Sequence, residues 1–216
     1  MTQTITSEQR QKLIDIINAG LVSGLGEAKA GDLSIEAAIC LAMGEPHSDR
    51  PSCVAEPDRD FAIRINDAKW SSPEARAKAL LPLALAQLGT AGSNRGPWVQ
   101  RVIEGTIRRL LPLALRAAAR VHSKEQHRAA LEAAAIRCEQ EGTRTAAAAA
   151  SAASDAYAAA SAASDAYAAS SAASDAAAAY AYAYDADAAD ANAARAVGDD
   201  ALCLAVQIAL DAYAAE

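Results

Sequence analysis

The stretch that decides the fold is WSSPEARAKALLPLALAQLG, residues 70–89. A serine stands before a proline and an acid, and that order is a helix start. The hydroxyl takes an open N–H, the proline has none to satisfy, and the acid faces the positive end of the dipole. Apolar residues then recur at helical spacing up to Leu88, and Gly89 stops the helix. Working outward, Ala79–Leu85 (ALLPLAL) returns thirty residues later as Arg109–Leu115 (RLLPLAL). Each copy carries a proline, Pro82 or Pro112, inside a helical pattern, where it removes one backbone hydrogen bond and is expected to kink the helix.

Other helices announce themselves similarly. Thr6 and Gln9 form a capping box before Leu13, Ile14, Ile16, Ile17 and Leu21, and the helix is expected to close at Gly24 and Gly26. Asp32 or Ser34 caps a second helix over Ile35, Ala38, Ile39 and Met43, ended by Gly44 and Pro46. Three prolines between Glu45 and Asp60 read as a loop, followed by a short helix from Phe61 to Asp67. Asn66 to Ser72 reads as a helix-to-helix corner anchored by Trp70. Ser123 with Gln126 opens a further helix that ends at Gly142. No period-two alternation stands out, so the expected class is all-α: a multi-helix bundle followed by long alanine-rich helices.

The chain has 216 residues and a net charge of -7, with 52% hydrophobic but only 4% aromatic residues. The charge is unevenly placed: residues 1–142 balance at +1 and residues 143–216 at -8. Half of the second segment, 37 of 74 residues, is alanine, and no glycine or proline lies between Thr143 and Val197. The expected division is a compact helical domain over 1–142 and an acidic alanine-rich tract over 143–216, closed by an amphipathic helix from about Asp199. That last helix presents Leu202, Val206, Ala209, Leu210 and Tyr213 to the body or to a second subunit. Without an apolar leader or a long apolar run, the chain reads as cytoplasmic, with no membrane partner.

Within the tract, SAASDAYAAA (151–160), SAASDAYAAS (161–170) and SAASDAAAAY (171–180) repeat with a period of ten. Alanine's helix propensity makes helix the expectation, roughly 80 Å long if uninterrupted at about 1.5 Å per residue. Ten residues at about 100° each fall short of whole turns by about 80°, so Asp155, Asp165, Asp175 and Asp185 spiral around the axis. That argues against an ice-binding face and against a single heptad seam. A structural or interaction role remains, beside repeat expansion without a specific function.

Candidate chemistry is sparse. Glu36, His47, Asp49 and Cys53 supply the residue types of a hydrolase-like site (nucleophile, base, orienting acid) if the fold brings them together. Cys40, His47 and Cys53 lack an obvious fourth ligand, so neither a metal nor another cofactor is expected. The clearest functional pattern is basic. At about 100° per residue, Arg101, Arg108, Arg109, Arg116 and Arg120 share one stripe opposite Ile103, Ile107, Leu110 and Ala114. The stripe suits an anion or nucleic acid, or the acidic tract of the same chain docking on it. The overall acidic charge makes nucleic acid the lesser candidate. A non-enzymatic scaffold or interaction protein, binding another protein or itself, is the leading expectation.

The segments DLSIEAAICLAMG (32–44), DRPSCV (49–54) and RINDAKWSSPEARA (64–77) resemble an uncharacterised family of bacterial proteins with alanine-rich tails, over roughly residues 13–142. The Ala/Tyr/Asp tract is similar to tails of bacterial and phage proteins labelled immunity proteins. Neither resemblance implies an activity or any site residue.

Overall fold

The computed structural model describes residues 5–121, 124–151 and 198–215. The fold is all-α, and among the described residues the one β-type contact is an isolated bridge between Gly26 and Leu33. The chain separates into two compact units, Met1–Val99 with Ala209–Glu216, and Gln100–Ile208. The compositional break at Gly142 thus falls inside the second unit.

In the first unit, α1 (Ser7–Asn18) starts on the expected capping box, with Gln9 N donating to Thr6 Oγ1 at 3.1 Å and Thr6 N to Gln9 Oε1 at 3.0 Å. It ends earlier than expected, at Ala19, because Gly20 takes a φ of 112° and turns the chain. Gly24 and Gly26 serve the following loop instead. At Gly26 φ is 70°, and a Cβ would lie 2.8 Å from the Asp32 carbonyl carbon, so only glycine lets the loop fold back there.

Helix α2 (Ile35–Met43) is capped by Ser34, which accepts from Ala37 N at 3.2 Å, and closes on Gly44 in the left-handed region. The loop expected from Glu45 to Asp60 is shorter, since α3 already spans Glu56–Asp67. Pro57 lies in its first turn, where a missing N–H costs nothing; the proline marks a helix start, not a loop. Helix α4 (Pro73–Ala86) begins on Ser72 as read and runs through Pro82. Leu13, Ile17, Leu21, Leu33, Ile35, Ile39, Leu80 and Leu83 are fully buried and form the core of this unit.

Helix α5 (Gly96–Gly105) leads into a π turn, Thr106–Leu110, and then α6 (Leu111–Val121). Just before Pro112, which has no N–H for the Arg108 carbonyl, Leu111 N donates to Thr106 O, five residues back; Pro82 at the matching place in α4 is accommodated in continuous α-helix. Helix α7 (Glu125–Glu141) ends on left-handed Gly142 as expected. Its cap is Lys124, without a side-chain bond; Ser123, the expected cap, lies outside the described residues.

Residues 144–151 are helical, with Ala146, Ala147 and Ala150 buried. The long helices expected over 143–197 fall otherwise on residues 152–197, outside the described residues. Helix α8 (Gly198–Ala214) buries Leu202, Val206 and Ala209. Within the second unit α5 and α8 approach so closely that a Cβ on Gly105 would meet Ile208 Cγ2 at 2.6 Å.

Candidate functional site

The four candidate catalytic residues do not assemble. Glu36 and Cys53 are buried, whereas His47 and Asp49 are exposed. His47 Nε2 lies 3.1 Å from the Gly26 carbonyl oxygen, and Asp49 Oδ1 lies 3.9 Å from Arg50 Nε. Glu36 Oε1 accepts from Gln87 Nε2 at 2.9 Å. The Cys53 carbonyl accepts from Gly89 N and Ala91 N. No hydrogen bond joins any two of the four. Burial also pushes the Cys53 thiol upward and that of Cys40 up to about 12, so both stay protonated at neutral pH and are poor nucleophiles. Among the described residues, no three His, Cys, Asp or Glu side chains are grouped to hold a metal ion. The polar loop braces itself: Glu45 accepts from Ser52 N at 3.0 Å and from Ser52 Oγ at 2.5 Å. The corner from Asn66 to Ser72 does likewise. Asn66 Oδ1 accepts from Ile35 N, its Nδ2 donates to Val22 O, and Trp70 Nε1 donates to Ile65 O.

The arginines are placed very differently from one another. Arg108 donates to Glu104 at 2.8 Å and to the carbonyls of Glu139, Gln140 and Glu141, the open end of α7. A planar fork thus satisfies carbonyls that a helix terminus leaves unpaired. Arg116 bonds Glu132 and Glu139 on α7, which together hold its guanidinium firmly charged, and Arg116 in turn keeps Glu139 below the usual carboxylate range. Arg109 and Arg120 are exposed, and Arg101 is half-buried. The stripe laid out at about 100° per residue does not carry across the π turn, which holds more residues per turn than an α-helix. Two of its five members are therefore structural, spent on α7. Docking of the acidic tract on this face concerns residues 152–197, outside the described residues.

These bonds set α6 and α7 antiparallel, and spacing then defines two ridges. Arg109, Leu113, Arg116 and Arg120 follow one another at four, three and four residues; Glu125, Glu132, Ile136 and Glu139 recur at seven, four and three. Leu113 is 40% exposed and Ile136 42%.

Sequence reasoning missed the strongest polar cluster. Arg95 Nε and Nη2 donate to the two oxygens of Asp58 at 2.8 and 2.9 Å, and the Tyr213 hydroxyl donates to Asp58 Oδ1. The Arg95 guanidinium lies 5.1 Å from the Trp98 ring centroid and 4.9 Å from that of Tyr213. Both ionic side chains are almost completely buried, at 5% and 0% exposure. Burial raises the Asp58 carboxyl, against the downward pull of Tyr213 and Arg95. This is a sealed clamp holding the C-terminal residues within the first unit, not an open site. Reading Asp58 as part of a loop hid it, and no local motif links residues 58, 95 and 213.

Comparison with family models, with curated proteins and with solved structures returns no match for this chain.

Proposed function

We propose that the protein is a non-enzymatic helical interaction protein whose working surface is the outer face of α6 and α7, and that its partner is a second copy of itself. The observation that carries this reading is the exposure of Leu113 within the basic ridge of α6 and of Ile136 within the acidic ridge of α7. A two-fold axis brings each ridge of one copy against the opposite ridge of the other. The basic ridge of one copy then faces the acidic ridge of the other, adding to the ion pairs that Glu132 makes with Arg116 and Glu125 with Arg128, while the two aliphatic side chains lose their contact with water. The scattering of Glu36, His47, Asp49 and Cys53 supports a reading without catalysis. The engagement of Arg108 and Arg116 by α7 leaves less positive surface for an anion or nucleic acid.

Sedimentation equilibrium over a range of chain concentrations tests the proposal. Wild type is expected to shift toward dimer as concentration rises, and less so at high salt. Leu113→Glu with Ile136→Glu sets like charges opposite each other across the axis and is expected to stay monomeric while remaining helical. A wild-type chain that is monomeric throughout would overturn the reading.

A further inference from the structure

We propose that Glu36 is stored as a neutral carboxylic acid closing a two-point acid–amide ring with Gln87, a proton-dependent latch between α2 and the C-terminal end of α4. Both residues are fully buried, and Gln87 Nε2 donates to Glu36 Oε1 at 2.9 Å. The two remaining polar atoms of the pair, Glu36 Oε2 and Gln87 Oε1, have no hydrogen-bond partner. As a carboxylate, Glu36 leaves an acceptor on each of two hydrogen-bonded side chains stranded in the core, which native interiors avoid. One proton on Oε2 cures both defects: the acid O–H donates and the amide oxygen accepts. The side chain of Gln87 is a natural partner because it carries a donor and an acceptor on one planar group.

The surroundings favour the neutral form. From α3, Arg59 favours the charged form of Glu36, but it is engaged by Asp60 at 3.1 Å and by Glu56; Asp58 on the same helix opposes ionisation. The 44–55 loop contributes Asp49, which also opposes it, and the thiols of Cys40 and Cys53 lie within its electrostatic reach. Tyr213 on α8 is likewise coupled to Glu36. The charged residues of α1 (Glu8, Arg10, Lys12 and Asp15) are exposed, and on α4 buried Arg76 donates to Leu21 O, with Glu74 and Lys78 in solvent. Desolvation accordingly pushes the Glu36 carboxyl from 4.5 up to about 8. The sign follows directly. The latch's contribution is complete below pH 4.5, declines as the unfolded chain alone gives up its proton, and is gone above about pH 8.

Glu36→Gln keeps both bonds as an amide–amide ring and cannot ionise. The ratio of unfolding constants, wild type over variant, is expected to rise about tenfold per pH unit between pH 4.5 and 8 and to level off above. Curves that stay parallel would overturn the latch. Carboxyl carbon-13 resonances of the wild-type chain decide the matter independently should the variant fail to fold. The Glu36 signal is expected at the protonated position at pH 6, moving with a midpoint near 8. A carboxylate position at pH 6 would refute the proposal.

Discussion

Replacing Asp58 by alanine removes one end of the buried clamp and takes the Asp58 carboxylate from an Arg95 guanidinium with 5% of its side-chain surface exposed. Three bonds go at once, the two from Arg95 and the one from Tyr213. Removing one partner of a buried ion pair costs about 3–5 kcal/mol, because the surviving charge stays desolvated. The rings of Trp98 and Tyr213 against the guanidinium return part of this, about 1–2 kcal/mol at a desolvated site. A net loss of about 1–4 kcal/mol remains, or a drop in Tm of about 2–16 °C for a chain of this length. Urea unfolding followed by tryptophan fluorescence reads it well, since Trp70 and Trp98 are both buried in the first unit. Asp58→Leu combined with Arg95→Met is expected to recover most of the loss, as no charge is left unpaired. A single-variant loss under about 1 kcal/mol would refute the reasoning, as would a double variant no better than the single one.

Further outcomes follow from close contacts. Gly142→Ala places a Cβ 2.7 Å from Arg108 Cζ at a backbone φ of 63°, and is expected to cost more than about 1 kcal/mol in thermal unfolding. Combining it with Arg108→Ala relieves the clash but not the strain. Gly105→Ala is expected to cost about 1–3 kcal/mol through Ile208, and Ile208→Ala in the same chain to recover part of it by opening the space. Arg116→Ala removes bonds to half-exposed Glu132 and Glu139, so chemical denaturation is expected to show a loss of no more than about 1 kcal/mol, shrinking in high salt.

Helix starts were legible in the sequence because capping is local chemistry: Thr6, Ser34 and Ser72 each hold a backbone N–H three residues ahead. Helix ends were less so. Gly20 ends α1 before Gly24 is reached, and it is Gly26 that the return of the loop onto Asp32 requires. Pro57 and Pro112 show the same limit. Pro57 sits harmlessly in a first helical turn, while Pro112 follows a π turn and Pro82, in the matching motif, lies within continuous α-helix, so the proline alone does not set the local geometry. The arginine ridge was visible as spacing, but not that α7 would take Arg108 and Arg116, since those partners lie 16 to 33 residues away. The Asp58–Arg95–Tyr213 clamp was out of reach, because burial of an isolated charge is a tertiary fact.

The most direct test of the α6–α7 face is a charge exchange between two copies. A chain carrying Arg109→Glu and Arg120→Glu, and another carrying Glu125→Lys and Glu132→Lys, are each expected to sediment as monomers. Mixed in equal amounts they are expected to form a heterodimer, since every ridge again meets its opposite. Self-association of either variant at wild-type strength, or a mixture that stays monomeric, would contradict the account.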